Sequence, residues 1–323
     1  MARRGIGEGR QASPALAYTL LTLAALFWSG NFLLARAVHL DVPPIGLNFW
    51  RWVLALLILL PFAGAAALRH RAVLGAHFGL LLLLGGLGIA GFNSAAYLAL
   101  GATTAVNGVL IVSATPVLIV LVSWLLDRRP ATPRQIAGVA LSLAGALVII
   151  TRGDIAVIAS LGFNRGDLWM VLAITFWATY SVLLRRAPPD VPPLALLTTL
   201  VAIGLVLLLP VYVAEAIWGR PMPVTWVSAG SIAYVALFAS IGAYVSWNRA
   251  VAMVGPNVSG LFLHLMPVFT TLGAVLLLDE SLRLFHLPGI GLIGLGLWLA
   301  TLARPQRASG SGPRPATTAG DAG

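Results

Sequence analysis

Ten long apolar runs follow one another along the chain and leave few residues for anything else. They begin near Leu16, Ile45, His77, Thr104, Thr132, Gly166, Leu194, Ala229, Asn257 and Leu284. A helix needs about 20 apolar residues to cross the hydrocarbon core of a bilayer. Only 9% of the 323 residues are charged, which is too few to cover a water-exposed surface. The sequence therefore predicts an all-α membrane protein with ten transmembrane helices.

Arginine is distributed unevenly between the two sides of this predicted bundle. All 20 basic residues are arginines, and with ten spans fourteen lie on the side of the termini. The other six are Arg36, Arg51, Arg152, Arg165, Arg220 and Arg283. Positive charge accumulates in cytoplasmic loops. We therefore expect a bacterial-type inner (plasma) membrane protein with both termini cytoplasmic, a short N-terminal segment at 1–15 and a disordered tail at 303–323.

The two halves of the chain resemble each other at a nearly constant spacing. Phe27-Trp28 lies 149 residues before Phe176-Trp177, and Val42-Pro43-Pro44 lies 149 residues before Val191-Pro192-Pro193. Later in each half the spacing is 151 residues. This many matches at one spacing indicate an internal duplication rather than a shared composition.

The duplication divides the chain into five-helix repeats at 16–151 and 166–302. An odd number of spans turns the second repeat upside down in the membrane relative to the first. Inverted repeats are typical of alternating-access transporters, whose binding site lies near the midplane between the repeats. Duplication also builds channels and some membrane enzymes, so these classes stay open at this point.

The order of motifs in each half resembles the EamA-type members of the drug/metabolite transporter superfamily, over roughly residues 16–302. Phe-Trp opens each half, Pro-Pro precedes its second span, and a span with an internal proline leads to an acidic turn and a glycine-spaced helix. The last three features lie at Pro116 and Pro267, at Asp127 and Asp279-Glu280, and at Gly138 to Gly145 and Gly289 to Gly296. The segment Asn48 to Trp52 also looks like the family's second helix.

This resemblance implies ten helices with cytoplasmic termini. It also implies a central cavity lined mainly by the third, fourth, eighth and ninth helices. Bacterial members of this size often export amino acids or related metabolites, and similar aromatic-rich members export aromatic and other neutral amino acids. The resemblance thus implies a substrate class that the residues alone do not give.

Two pairs of polar residues occupy equivalent positions in the third and eighth spans. Asn93 and Tyr97 lie four residues apart on one helical face, as do Tyr244 and Asn248. At the 151-residue spacing Asn93 matches Tyr244 and Tyr97 matches Asn248, with the residue types exchanged. Amide and phenol groups suit hydrogen bonding to a zwitterion, and Trp247 would add an aromatic wall. The alternative is that these groups only join helices.

Other candidates lie in the first, fourth, sixth and ninth spans. Asn107 is predicted to bind substrate. Pro116 and Pro267 each remove a helical hydrogen bond and act either as bending points for gating or as static kinks. The duplicated Trp28 and Trp177 either line the cavity or belong to the aromatic belt at the membrane interface.

Charged and titratable residues are almost absent from the predicted spans. His264 is the only ionisable residue deep inside one, and the ten acids fall in loops, at span ends or in the tails. His264 is a candidate for substrate binding and for any coupling to protons, since histidine titrates near neutral pH. Its alternative role is a neutral bridge between helices. Arg51 either pairs with a carboxylate-bearing solute or extends to the outer interface, and the second interpretation is favoured.

Several functions are excluded by what the sequence lacks. Without a basic stripe interleaved with aromatics, nucleic-acid binding is not expected. Cysteine and lysine are absent, so thiol or Ser/Lys chemistry and a phosphate-loop motor are excluded. We predict no cofactor, no metal and no enzyme activity.

The predicted function is a secondary transporter that exports amino acids or related small neutral or zwitterionic metabolites by alternating access. The alternatives are a drug, nucleotide-sugar or other metabolite carrier of the same superfamily or, in another class, an intramembrane enzyme. The expected partners are a small-molecule substrate and the lipid bilayer. A complete pair of repeats can close as a monomer.

Overall fold

A computed structural model gives the fold of the chain. It describes residues 13–302 except 104, 129, 155, 160, 161, 163 and 278–282. The tail predicted at 303–323 and most of the predicted N-terminal segment lie outside the described residues. Within the described residues all regular structure is helical.

Among the residues that the structure describes, ten long helices occupy the positions of the ten apolar runs. They are α1 (Pro14–Val38), α2 (Pro44–Arg69), α3 (Phe78–Ala102), α4 (105–127), α5 (Pro133–Ile150), α6 (Arg165–Arg186), α7 (Pro193–Trp218), α8 (Trp226–Val254), α9 (256–277) and α10 (His286–Thr301). Two short helices, Arg71–Ala76 and Ala156–Ala159, lie in connections. Each long helix begins within three residues of the start predicted for its run.

Eight of the helices, α1 to α8, contain a segment long and apolar enough to cross a membrane. The helix α10 is apolar but shorter. The helix α9 consists of three consecutive segments, Pro256–Leu261, Phe262–His264 and Leu265–Leu277, of which the middle one is a 3₁₀ turn. The chain is therefore an α-helical multi-pass membrane protein, while the count of ten spans and the side of the termini stay predictions.

The contacts between helices follow a two-fold pattern. The helix α1 packs on α8 and α9, and its counterpart α6 packs on α3 and α4. Three further pairs, α2 with α7, α4 with α9 and α5 with α10, join equivalent helices of the two halves. Two groups result, which we call bundle A (α1, α8 and α9) and bundle B (α3, α4 and α6). This pairing is what a duplicated chain with swapped packing produces.

Glycines bring α5 and α10 into direct backbone contact. A Cβ atom on Gly145 would lie 2.5 Å from the carbonyl oxygen of Gly289, and one on Gly138 would lie 2.6 Å from that of Gly296. Only residues without a side chain allow this approach. The glycine-spaced helices predicted from the sequence pack in this way.

Helices α3 and α8 each contain a π-helical segment in their middle. It covers Gly85–Gly91 in α3 and Val235–Gly242 in α8, and so occupies equivalent positions in the two halves. A π turn interrupts the regular hydrogen-bond ladder and often marks a functional site. Both segments end just before the polar residues predicted to bind substrate.

Candidate functional site

Aromatic side chains fill the middle of the interface between the two bundles. Trp28 of bundle A meets Trp177 of bundle B edge-to-face, with ring centroids 5.0 Å apart. Tyr244 and Trp247 lie against both tryptophans at 5.4–6.0 Å. All four residues are buried. We call these four residues the aromatic layer; Trp28 and Trp177 belong to it and not to a belt at the membrane interface.

The π segments present backbone carbonyls to this aromatic layer. The indole nitrogen of Trp28 donates to the carbonyl of Ala239 at 3.1 Å. The phenol of Tyr244 donates to the carbonyl of Gly88, which also accepts from the amide of Asn93 at 3.3 Å. Gly88 and Ala239 are 151 residues apart. The two π turns thus supply carbonyl acceptors at equivalent positions, and side chains of the aromatic layer donate hydrogen bonds to them.

Asn93 and Tyr244 are equivalent residues of the two repeats and touch each other directly. The amide nitrogen of Asn93 donates to the phenol oxygen of Tyr244 at 3.1 Å. Two residues related by a two-fold axis can meet only near that axis. This hydrogen bond therefore marks the centre of the bundle interface.

Two further hydrogen bonds join the bundles on either side of this centre. Tyr97 of α3 donates to Asn31 of α1 at 2.8 Å, and Tyr180 of α6 donates to Asn248 of α8 at 2.8 Å. Asn31 matches Tyr180 at the 149-residue spacing and Tyr97 matches Asn248 at 151, so the two bonds are equivalent. In the predicted topology the Tyr97–Asn31 pair lies towards the outside and the Tyr180–Asn248 pair towards the cytoplasm. We call them the outer pair and the inner pair.

A cavity of about 330 Å³ lies beside the outer pair. It is lined by the ends of α1, α2 and α3 and by the connection that follows α7. Tyr97 is the lining residue of α3 that lies nearest to Asn93 along the helix, and Arg220 also lines the cavity. Within the aromatic region itself, a space of about 20 Å³ between Trp28, Trp177 and the bends of α4 and α9 is too small for a solute. Of these two spaces, only the cavity beside the outer pair has room for a solute.

Arg51 is buried in the interior, and the prediction that it extends to the outer interface is wrong. Its side chain is inaccessible to solvent, and one terminal nitrogen, Nη1, donates to the phenol of Tyr97 at 2.7 Å. The guanidinium lies 4.7 Å from the ring centroid of Trp52. The remaining nitrogens, Nε and Nη2, have no hydrogen-bond partner, and no salt bridge to Arg51 occurs in the part of the chain that the structure describes. Hydropathy could not show this burial because it does not tell which side of a helix faces the bundle.

His264 bridges three helices. Its Nε2 lies 2.9 Å from the carbonyl oxygen of Ser113 on α4, and its Nδ1 lies 2.7 Å from the hydroxyl of Ser142 on α5. A carbonyl can only accept, so Nε2 carries a proton. Both ring nitrogens thus have protein partners, and the geometry is that of a bridge between helices.

Asn107 belongs to a separate network at the start of α6. Its amide nitrogen donates to a carboxylate oxygen of Asp167 at 2.9 Å and to the carbonyl of Gly162 at 3.0 Å. Asp167 also accepts from the Thr103 hydroxyl and from the backbone of Asn164. Asp167 lies at a helix end, as predicted, but is buried. The structure does not bring Asn107 to the aromatic layer.

The two prolines lie at interruptions of their helices. The helix α4 breaks at Ala114, two residues before Pro116, and the 3₁₀ turn of α9 ends three residues before Pro267. The carbonyl of Val112 accepts from the hydroxyl of Thr115 instead of from the missing proline amide. These bends border the small central space.

Sequence reasoning found part of this arrangement. Asn93, Tyr97, Tyr244, Trp247 and Asn248 lie at or beside the aromatic layer, and substrate binding by them stays a prediction. Sequence reasoning missed Asn31 and Tyr180, although these residues lie 149 positions apart and again place an asparagine in one half opposite a tyrosine in the other. It also missed Trp52, which meets Tyr244 at 5.0 Å.

No set of three or more histidine, cysteine, aspartate or glutamate residues that could hold a metal ion occurs among the residues that the structure describes. The polar atoms at the bundle interface come instead from amides, phenols, indoles and one guanidinium. Such groups can bind a ligand through hydrogen bonds.

Comparison with known proteins identifies the family. The model of the EamA-like transporter family matches residues 15–151 and again residues 164–302. The uncharacterized transporter YyaM of Bacillus subtilis is 30% identical over 293 residues, covering 88% of this chain and 93% of that protein. An uncharacterized transporter of Archaeoglobus fulgidus is 28% identical over 292 residues, covering 90% and 98%.

A solved crystal structure shares the fold. It superimposes with a TM-score of 0.66 at 22% identity and covers 91% of this chain and 100% of its own. The family model matches most of the chain, and the similar proteins are named as transporters, which supports transport rather than enzyme activity. The chain belongs to the EamA-like transporter family of the drug/metabolite transporter superfamily.

Proposed function

We propose that this transporter exports amino acids or related small neutral or zwitterionic solutes across the inner membrane by alternating access. The observation that carries the proposal is the pair of equivalent tyrosine–asparagine hydrogen bonds on opposite sides of the aromatic layer. Each bond connects bundle A to bundle B. When the outer pair breaks and the inner pair holds, the centre opens to the outside, and the reverse opens it to the cytoplasm.

The groups at the interface support a solute with little net charge. The residues of the layer and of the two pairs end in amides, phenols and indoles, none of which is charged at neutral pH. The indole N–H of Trp247 is buried without a hydrogen-bond partner, so it can donate to a solute. Aromatic faces suit the apolar side chain of an amino acid.

The alternative carriers fit this interface less well. A nucleotide sugar carries a diphosphate, which needs several cationic or bidentate donors. Arg51 is the one buried arginine among the described residues, and a single guanidinium does not match two phosphates. A drug carrier is the alternative that only measurement of transport separates from an amino acid exporter.

Counterflow in proteoliposomes tests the proposal. Vesicles that contain the full chain are loaded with unlabelled phenylalanine, leucine or threonine and then given the labelled form outside. We expect saturable accumulation that protein-free vesicles lack. If no neutral amino acid accumulates but a lipophilic dye does, the protein is a drug carrier. Accumulation that does not respond to an imposed pH gradient indicates a facilitator rather than a proton-coupled exporter.

A further inference from the structure

Arg51 is a buried cation whose charge is not balanced by its surroundings. The side chain is fully buried, and no described carboxylate forms a salt bridge with it. Two of its three guanidinium nitrogens, Nε and Nη2, have no acceptor. Burial of an unpaired charge costs several kcal/mol in a typical protein. A fold that retains such a group leaves its donors available for a ligand.

The donors that lack partners at this point favour an anionic acceptor. Tyr97 occupies Nη1 while Nη2, on the same edge of the guanidinium, is free. The neighbouring indole N–H of Trp52, whose ring lies under the guanidinium, is also buried without a partner. A planar carboxylate matches the paired nitrogens of a guanidinium with two parallel hydrogen bonds.

We propose that Arg51 binds the carboxylate of the transported solute. When no solute is bound, the phenol oxygen of Tyr97 accepts the hydrogen bond from Arg51 instead. This inference rests on the export of amino acid-like solutes proposed above and names the group of the solute that is recognised. The outer cavity reaches Tyr97, so a solute that is exported past Arg51 leaves through that cavity. A carboxylate that displaces the phenol oxygen from Nη1 replaces a neutral acceptor with a charged one.

The same displacement connects binding to the outer pair. Tyr97 accepts from Arg51 and donates to Asn31. When the carboxylate takes Nη1, Tyr97 loses one of its two hydrogen bonds, and its contact with Asn31 weakens. The second repeat has no such device, because Leu200 stands at the position equivalent to Arg51. Recognition of the carboxylate is therefore confined to the outer half of the pathway.

Thermal unfolding of the purified full chain in detergent tests the carboxylate site independently of transport. The probes are L-phenylalanine, 3-phenylpropionate, which lacks the amine, L-phenylalaninamide and phenethylamine, which lack the carboxylate, and sodium chloride at equal ionic strength. A ligand that binds the folded state raises its unfolding temperature. We expect the two carboxylates to raise it and the other three probes to leave it unchanged.

Variants assign the effect to Arg51. In Arg51→Gln we expect the concentration of L-phenylalanine that gives half the shift to rise about ten-fold or more, as for loss of a charged hydrogen bond. Arg51→Lys keeps the charge but not the paired nitrogens. We expect its half-shift concentration of L-phenylalanine to lie between those of the unchanged protein and of Arg51→Gln. The control is Arg249→Gln, which removes an exposed arginine from α8. If Arg51→Gln does not fold, the comparison of the five probes on the unchanged protein tests whether the site recognises a carboxylate.

The outcomes separate this inference from the proposed function. An equal shift with L-phenylalaninamide or with chloride, no shift with any carboxylate, or an unchanged response of Arg51→Gln overturns the carboxylate site. If counterflow moves phenylalanine and its amide equally well, export stands and the site does not. If the carboxylates bind through Arg51 but no amino acid crosses the membrane, the site stands and the export proposal fails.

Discussion

At the scale of residues, individual tyrosine hydroxyl groups form the hydrogen bonds that connect the two bundles. The outer and inner pairs each use one tyrosine hydroxyl, and a phenylalanine in its place would keep the ring. A hydrogen bond of this kind contributes about 1 kcal/mol net, which changes a population ratio about five-fold. Removal of one hydroxyl can therefore shift which side of the centre is open without disturbing the packing.

Tyr97→Phe is expected to favour the outward-open state and Tyr180→Phe the inward-open state. The chain contains no cysteine, so single reporters can be placed at Leu47 in the outer cavity and at Leu196, its equivalent in the other half, both of which are buried. Labelling of Leu47→Cys by a maleimide should accelerate about five-fold with Tyr97→Phe. Labelling of Leu196→Cys should accelerate with Tyr180→Phe. Equal effects of both substitutions on both reporters would show that the pairs do not act as gates.

His264 is expected to stabilise the bundle without setting the pH dependence of transport. Its two ring nitrogens are bound to Ser113 and Ser142, so His264→Gln should lower the free energy of unfolding by about 1–3 kcal/mol. The control is His77→Gln, whose exposed ring bonds only to its own helix. Thermal unfolding and the dependence of counterflow on pH are the measurements. A flattened pH profile in His264→Gln would instead assign the coupled proton to this residue.

Prediction of the site from the sequence succeeds where periodicity and duplication determine position. The equivalence of Asn93 and Tyr244 can be predicted because they lie 151 residues apart in the sequence, and each has its polar neighbour four residues further on. The hydrogen bonds of Asn107 cannot be predicted in this way, because its partner Asp167 lies on a helix distant in the sequence. Likewise, the interior position of Arg51 depends on which side of α2 packs against α3, and α3 lies far from Arg51 in the sequence.

At the scale of elements, helix positions follow from the membrane and helix irregularities follow from contacts. A backbone in lipid must satisfy its own hydrogen bonds, so an apolar run of span length becomes a helix. The π segments of α3 and α8 carry carbonyls that accept from side chains of other helices, as the Ala239 carbonyl accepts from Trp28. Local sequence does not contain these partners, so the segments could not be predicted.

The glycines of α10 divide into two classes that the sequence does not distinguish. A Cβ on Gly296 would lie 2.6 Å from the backbone oxygen of Gly138, whereas Gly294 has no atom within 4 Å of its Cβ position. We expect Gly296→Ala to reduce stability by about 1–3 kcal/mol through forced separation of α5 and α10. Gly294→Ala should be neutral or add up to about 1 kcal/mol. Thermal unfolding of both variants provides the comparison, and equal losses would contradict the packing of these helices.

For the whole molecule, the proposed mechanism requires that equivalent residues face opposite sides of the membrane. The contacts between helices show two-fold pairing but do not by themselves say which way each helix crosses. Inversion follows from the odd number of spans in each repeat, and the orientation follows from the distribution of arginine. Both can be tested with one pair of equivalent loop residues.

Asp41 and Asp190 are that pair, since they are 149 residues apart and both are exposed in connections that follow the first helix of their repeat. In right-side-out membrane vesicles, a maleimide that cannot cross the membrane should label Asp41→Cys at once and Asp190→Cys only after permeabilisation. Labelling of Asp190→Cys alone would reverse the orientation derived from arginine but preserve the inversion. Labelling of both from one side would remove the inversion, and with it the reason to assign the outer and inner pairs to opposite sides.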